Sequence, residues 1–563
     1  MNPRSRRLCL GAAAGLLSSP LLALSSRADL PATVAVLLAV ALGALLALLA
    51  PTRRAIVESL LAAAALGLPL WALLHVIALP LLAGMEPRWT AAAMREVFPQ
   101  LAGWILFQAL LGWSFAVLEA LVERWLGPAP VPEAPPVPPP TRILILGGGF
   151  AGVATAEQLE RAFGGSAEVE LTLVSETNAM LFTPMLAEVA ASSLEASHIT
   201  SPLRTNLRRT TVVRGRASRV DLALQRVQVE AEHGPSWQLG YDHVVLALGS
   251  VSNYLGMTGV AEHAFDFKSI ADAVAIRNHV IDCFERADCE VDAEERRRLL
   301  TFVVAGGGFA GAELAGGLND FVRGMLPYYP RVPRDEVQVV LVHGGERILM
   351  ELSEPLAAYA QRTMAARGVT FRLKTRLKDA TADRVVLSDG EIPSRTLVWT
   401  AGTAPNPLLK TLGVEVDKRG AVVTEPTMQV GKHTNVWVLG DAASLPNAAT
   451  GKACPPTAQF AIRQAKQLAR NLLAVLHGEP LRPFRFKPLG ALCVVGHHTA
   501  CAEIQGLRFS GLFAWLLWRG IYLSKLPSLE RKVRVVFDWV VELFFPRDIV
   551  QTFELGSRRG GGK

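Results

Sequence analysis

The chain has 563 residues, half of them hydrophobic, and a formal net charge of +7. That length allows two or three domains, and the mean hydropathy of +0.29 is high for a wholly soluble enzyme. The apolar excess is concentrated in residues 1 to about 127, so the basic balance fits an anionic membrane surface rather than nucleic acid, which is not expected as a partner.

Taken in chain order, the first third reads as a membrane unit. A bilayer core takes about 20 mostly apolar residues per helix. Four stretches qualify, roughly 8–26, 32–50, 56–83 and 101–122. The first also resembles a signal peptide or an organelle transit segment: Arg4, Arg6 and Arg7 precede an apolar run ending in "ALSS", and the first acidic residue is Asp29. A retained span is the preferred reading. The arginines at the N-terminus and in "PTRR" (51–54) set an N-in arrangement. Four spans then return the chain to the cytoplasmic side at residue 123, a multi-pass protein of the cell (inner) membrane with its catalytic domain in the cytoplasm. "PAPVPEAPPVPPPT" (128–141) follows, a semi-rigid polyproline spacer that marks a linker over 128–140.

Next comes "TRILILGGGFAGVATAEQL" (141–159), an apolar β run, a glycine turn and a helix-periodic segment. In that context GxGxxG reads as a dinucleotide site. Gly147 permits the tight turn, Gly149 lets a pyrophosphate approach the backbone, and Gly152 lets helix and strand pack. The helix N-terminus faces the phosphates with its partial positive charge. A second run, "VELTLVSE" (169–176), ends in Glu176, placed to accept ribose hydroxyl hydrogens.

"LLTFVVAGGGFAGAELAGGL" (299–318) repeats the pattern with Gly306, Gly308 and Gly311, and its second strand is "VQVVLV" (337–342). His343 stands where the acid would be. His343 with Arg347 would suit a 2′-phosphate and Glu346 a bare ribose, so NADH is favoured and NADPH stays open. "YDHVVLALGS" (241–250), with Gly249, and "LVWTAGTAPNP" (397–407), with Gly402, are strands ending in small-residue turns; "NVWVLGDAA" (435–443) ends in Gly440–Asp441.

That order of motifs resembles the two-dinucleotide-binding-domain flavoproteins over residues 141 to about 545, and within them the type II NADH dehydrogenases. The resemblance implies an α/β fold of two Rossmann-like dinucleotide-binding domains, the NAD domain inserted in the FAD domain, here preceded by the all-α transmembrane helical unit of residues 1–127. It implies an FAD domain over 141–266 and 395–475, an NAD(P)H domain over 267–394 and a C-terminal membrane-associating region over 476–563. Gly147, Gly149, Gly152, Glu176 and Asp441 would bind FAD, and Gly306, Gly308 and Gly311 the NADH phosphates. Glu313, in the first turn of the second helix, would orient the nicotinamide–flavin junction or relay a proton there. "AQFAIRQ" resembles the quinone-side AQxAxxQ motif and puts forward Gln459 and Gln464. Five positions apart, these lie about 140° around a helix and cannot both face one ring; Gln459 is the preferred contact.

The implied activity is FAD-dependent oxidation of NADH with reduction of a membrane quinone, without proton pumping. A homodimer is left open. The alternatives are a sulfide:quinone oxidoreductase, which needs two spaced cysteines, and a membrane flavoprotein redox sensor. Of Cys9, Cys283, Cys289, Cys454, Cys493 and Cys501, Cys454 is expected near the flavin and lacks a partner; none forms CxxC or a zinc-type cluster, and no metal is expected. "LRFSGLFAWLLWRGIYLSKL" (507–526) and "VRVVFDWVVELFF" (533–545) read as surface helices on the bilayer, with Trp515, Trp518, Tyr522 and Trp539 at the headgroups and Arg508, Arg519 and Lys525 reaching anionic lipid.

Overall fold

In the computed structural model, residues 3–26, 30–49, 56–88, 91–126, 139–164, 166–232 and 234–552 are described. The "PTRR" loop, most of the proline-rich linker and the C-terminal "GSRRGGGK" lie outside them. The chain divides into two compact units, Met1–Val137 and Pro138–Lys563.

Unit 1 is built from α1 (Pro3–Ser25), α2 (Ala32–Leu49), α3 (Ile56–Leu82) and α4 (Ala91–Leu126). Stretches of α1, α3 and α4 are long and apolar enough to cross a membrane; Ala32–Leu48 is a shorter apolar helix. Four full-length spans were expected, and by length the described helices supply three. Small residues let these helices approach: a Cβ on Gly11 would lie 2.3 Å from the Gly43 carbonyl oxygen, and one on Gly15 2.2 Å from that of Ala39. Such contacts drive association where lipid removes the hydrophobic incentive. The α3 backbone widens into a π-helical turn at Ala72–Ala78, where buried His75 accepts at Nε2 from Trp104 Nε1 (2.9 Å).

Unit 2 contains two parallel sheets, one nested in the sequence of the other. The first runs through β1 (Thr141–Leu146), α5 (Phe150–Phe163), β2 (Val169–Ser175), β3 (Thr210–Arg214) and β4 (His243–Leu246). A short strand β5 (Ser250–Ser252) and α6 (Ile270–Cys289) lead out of it. The second runs through β6 (Thr301–Ala305), α7 (Phe309–Met325), β7 (Gln338–His343), β8 (Val369–Leu373) and β9 (Thr396–Trp399). After β10 (Thr403–Pro405), the chain returns to the first sheet with β11 (Gln429–Val430), β12 (His433–Val438) and α8 (Ala458–Leu476). Strand orders are β11-β12-β4-β1-β2-β3 and β8-β7-β6-β9. All neighbours run parallel except β11–β12. Continuous apolar runs suit such strands, which are covered on both faces; all five residues of β6 are buried.

The C-terminal region adds an antiparallel sheet, β13 (Gly490–Gly496), β14 (Thr499–Ile504) and β15 (Leu507–Ser510), then α9 (Gly511–Lys525) and α10 (Leu529–Phe544). It packs on α7, where a Cβ on Gly316 would come within 2.6 Å of the Val495 backbone. Both segments form helices with exposed outer faces, but the tryptophans expected at the headgroups are buried and Tyr522 is half-buried. Trp515, Trp518 and Trp539 are 5%, 1% and 6% exposed, and Arg519 is sandwiched at 3.8 and 4.5 Å from the rings of Trp515 and Trp539. An indole with an apolar body gains more from the core when a cation can cover its face. The outward residues are instead Leu529, Val533, Val536, Phe537, Val540 and Phe544, a helical stripe along α10.

Candidate active site

Both glycine turns join a first strand to a helix, and their three glycines answer three separate demands. Gly147 and Gly306 adopt φ of +116° and +119°, which only glycine enters readily. Gly152 and Gly311 lie under their turns: a Cβ on either would meet the carbonyl oxygen of Gly147 or Gly306 at 1.9 Å. The middle glycines are different. A Cβ on Gly149 would meet no atom within 4 Å, and one on Gly308 only Glu351 Oε1 at 3.8 Å. Nothing among the described residues demands glycine there. Each middle glycine is the N-cap of its helix, α5 or α7, and no side chain caps either. Open space against unpaired helix N–H groups is what a pyrophosphate fills.

Around the first turn, Glu176 follows β2 and is exposed at the strand end. β5 and β10 pair antiparallel, Ser250 with Pro405 and Ser252 with Thr403, which ties the turns carrying Gly249 and Gly402 together. Asp441 enters this corner and accepts from Ser250 Oγ (2.7 Å). Lys268 Nζ donates to Ser250 O (2.7 Å) and Oγ (2.8 Å). Burial pulls the Lys268 ammonium below its usual range, and Asp441 opposes the shift. Sequence reasoning missed Lys268 and Ser250; no spacing marks a lysine brought in by the chain crossing between sheets.

α8 begins at Ala458 with Thr457 as N-cap, so Pro455 and Pro456 precede the helix rather than filling its first turn. Gln464 is buried and its Oε1 accepts from Gly440 N (2.7 Å), bracing the Gly440–Asp441 turn. Gln459 Oε1 accepts from Leu489 N (3.0 Å) and its Nε2 donates to Gly490 O (3.3 Å), holding the start of β13. The two amides thus serve different segments, as their angular separation requires. Cys454 is half-buried and all six cysteines are free; burial pushes the Cys454 thiol up, against thiolate formation.

At the second turn, His343 Nδ1 accepts from Gly307 N (3.2 Å). That contact puts the proton on Nε2, which is buried and has no partner among the described residues. Burial holds the imidazole neutral by lowering its pKa. Glu346 pairs with Lys374 at 3.1 Å in the open. Arg347 turns to the carbonyls of Leu349, Met350 and Leu352, so it braces its own loop instead of pointing to a phosphate.

Glu313 lies just past the first turn of α7, not within it. Its Oε1 accepts from Val494 N of β13 (3.3 Å), and the Trp518 indole lies beside it without completing a hydrogen bond. Burial, with nearby Glu188 adding repulsion, pushes this carboxyl to about 8. Glu188, in the stretch "LFTPMLAEVA", is pushed to about 7 by burial, partly countered by Arg519. Sequence reasoning passed over Glu188, because only the docking of α9 and α10 gives it buried charged neighbours.

The pyridine nucleotide-disulphide oxidoreductase family profile matches residues 141–465, and that of the NDH2 C-terminal domain matches 489–548. The chain is 33% identical to a protein of Dictyostelium discoideum named "Probable NADH dehydrogenase", over 72% of this chain and 90% of that one. It is 30% identical to the type II NADH:quinone oxidoreductase Ndh of Mycobacterium tuberculosis, over 75% and 92%. The fold matches the structure of NDH2 from Plasmodium falciparum in complex with NADH, with TM-score 0.68, 18% identity and coverage of 73% and 99%.

Proposed function

The chain belongs to the pyridine nucleotide-disulphide oxidoreductase family, and within it to the type II NADH dehydrogenases; from that premise we propose how its residues divide the work. The protein is an FAD-dependent enzyme that oxidises NADH and reduces quinone. Bound FAD supplies the hydride acceptor and the electron donor; this chain's residues position the partners. The carrying observation is the pair of glycine cradles, each with an open middle position, bridged by β5 and β10.

In this reading the NAD(P)H domain runs from 267 through β9 (Thr396–Trp399), which pairs with β6 in the second sheet and so moves the boundary past 395, and the FAD domain comprises 141–266 and the chain from β10 (Thr403–Pro405) to 475. Gly147, Gly149, Gly152, Glu176 and Asp441 hold FAD, with Gln464 and the Ser250–Lys268 pair fixing Asp441. Gly306, Gly308 and Gly311 hold the nicotinamide nucleotide. The unpartnered His343 N–H suits a ribose hydroxyl, whereas a 2′-phosphate calls for a cation, and Arg347 is already engaged. This supports NADH over NADPH. Glu313 stands at the junction as a proton donor, and Gln459 shapes the quinone side. The outward apolar stripe of α10 rests on lipid, unit 1 is a multi-pass anchor with α1 retained, and the catalytic unit faces the cytoplasm. Electron transfer here pumps no protons.

The test is direct. Detergent-solubilised protein is mixed anaerobically with NADH, NADPH or sulfide while flavin absorbance is followed, and quinone is then added. NADH bleaches the flavin, NADPH does so at higher concentration, sulfide does not, and quinone restores the colour. Bleaching by sulfide alone, or failure of quinone to restore colour, overturns the reading.

A further inference from the structure

We infer that the cavity beside Glu313 is the proton inlet for quinone reduction, and that His497 and Glu188 pass the proton along it. This rests on the quinone-reducing reading above. The overall reaction, NADH + H⁺ + quinone → NAD⁺ + quinol, takes one proton from water per turnover. NADH delivers two electrons and one hydrogen as hydride; the second quinol hydrogen enters as that proton.

The walls of the cavity include Glu188, Glu313, His497, Arg519, Glu542 and Arg547. Its interior offers about 30 Å³ to water centres; since one water needs about 10–15 Å³, it takes roughly two waters. A wider cavity of about 320 Å³ shares Asp320, His497, Glu542 and Arg547 with it, which makes that side the mouth. His497 stands at the boundary with its side chain 37% exposed and Nδ1 3.9 Å from Glu542. Glu542 is fixed by Arg519 (3.1 Å) and Arg547 (3.0 Å). Arg547 also donates to the carbonyls of Ala191 and Gly317, which locks the cluster to both inner walls.

Glu188 is the step between this cluster and Glu313. Its Oε2 takes a long hydrogen bond from Trp539 Nε1 (3.4 Å), and its carboxyl couples to Arg519, Glu542, Arg547 and Glu313. A carboxyl raised to about 7 and one raised to about 8 both exchange protons near neutrality, in ascending order toward the reaction. His497 is biased the other way, lowered by burial and by His498, with Glu542 and Asp320 opposing, so it releases its proton readily. A purely structural cluster needs Glu542 and its arginines; it has no use for a second, protonatable carboxyl on the cavity wall.

The full-length enzyme is tested by stopped flow, with flavin reduction by NADH and reoxidation by a water-soluble quinone measured separately in H₂O and D₂O across neutral pH. Glu188→Gln keeps the acceptor for Trp539 and loses the proton. Its reoxidation slows about 10²-fold relative to its flavin reduction, the low end for a positioned proton-transfer group. The inflection near pH 7 disappears and the solvent isotope effect rises. His497→Ala slows reoxidation less and is rescued by added imidazole. Wild-type reoxidation rates and pH profile in Glu188→Gln overturn the inference. Should that variant not retain flavin, His497→Ala decides alone: no loss and no imidazole rescue overturn it. A wild-type flavin that NADH does not bleach overturns the functional reading and this inference together, whereas the variant arms fail independently of it.

Discussion

Gly149 and Gly152 stand three residues apart and are glycine for unrelated reasons. Gly152 is required by the protein, since a methyl there would press on Gly147 O at 1.9 Å; no described atom requires Gly149, and the proposed pyrophosphate does. Gly152→Ala therefore gives little folded protein, while Gly149→Ala folds with unchanged circular dichroism and loses most of its flavin on purification. Gly308→Ala keeps the flavin spectrum and raises KM for NADH about tenfold, worth ~1.4 kcal/mol, as steady-state kinetics will show. Glu313 adds a pH prediction. Its folded pKa of about 8 lies above the ordinary 4.5, so the folded state holds a proton that the unfolded chain releases between those values. Stability falls with rising pH across that window. Glu313→Gln keeps the acceptor for Val494 N and removes the titration, so its Tm relative to wild type rises from pH 5 to pH 8.

At the scale of elements, α8 packs and braces with one buried face that includes Gln464, whereas α10 uses two opposite faces. α8 packs against α5 and reaches the Gly440 turn through Gln464. Gln464→Ala leaves a buried N–H without its acceptor, a cost of about 1–3 kcal/mol, seen as a lower Tm and weaker flavin retention. α10 buries Val535 and Trp539 and turns Val533, Phe537 and Phe544 outward, at 60%, 66% and 77% exposure. Phe537→Glu therefore leaves the folding stability within about 0.5 kcal/mol of wild type, as exposed substitutions usually do. It weakens vesicle binding of the catalytic unit in flotation assays. Of the aromatic residues expected at that interface, Trp515, Trp518 and Trp539 are in the core and Tyr522 is half-buried, and the outward stripe of valines, leucine and phenylalanines stands in their place.

At the scale of the molecule, the nested sheets explain why two similar motifs do not compete. The first turn closes onto β4, where Gly147 meets Ala247 O, and the second onto the β9 end, where Gly306 meets Thr400. The chain leaves the first sheet through β5 and comes back through β10, and these two strands pair beside the corner where Ser250, Asp441 and Lys268 meet. Unit 1 forms its own compact body. Residues 139–563 expressed alone accordingly retain flavin and NADH bleaching, and still float with anionic vesicles through α10. Loss of flavin on that truncation would show that unit 1 is needed for the fold of unit 2.

Local chemistry made the nucleotide cradles and the apolar helices legible. A glycine at a left-handed turn, a strand buried on both faces and an apolar run of bilayer length each follow from a residue and its near neighbours in the chain. Glu176 and Asp441 stand just past strand ends that the motif order identifies, which makes their positions readable from the sequence. The partners of those residues are not. Lys268 reaches Ser250 only because β5 crosses to β10. Gln464 finds Gly440 because α8 folds back on α5. Glu188 and Glu313 become protonatable near neutrality because packing buries them next to one another, a shift that Arg519 and Arg547 only partly oppose at Glu188. Periodicity carries information about what each segment covers, but the electrostatic environment of a buried charge is a sum over segments distant in sequence, and only their packing decides it.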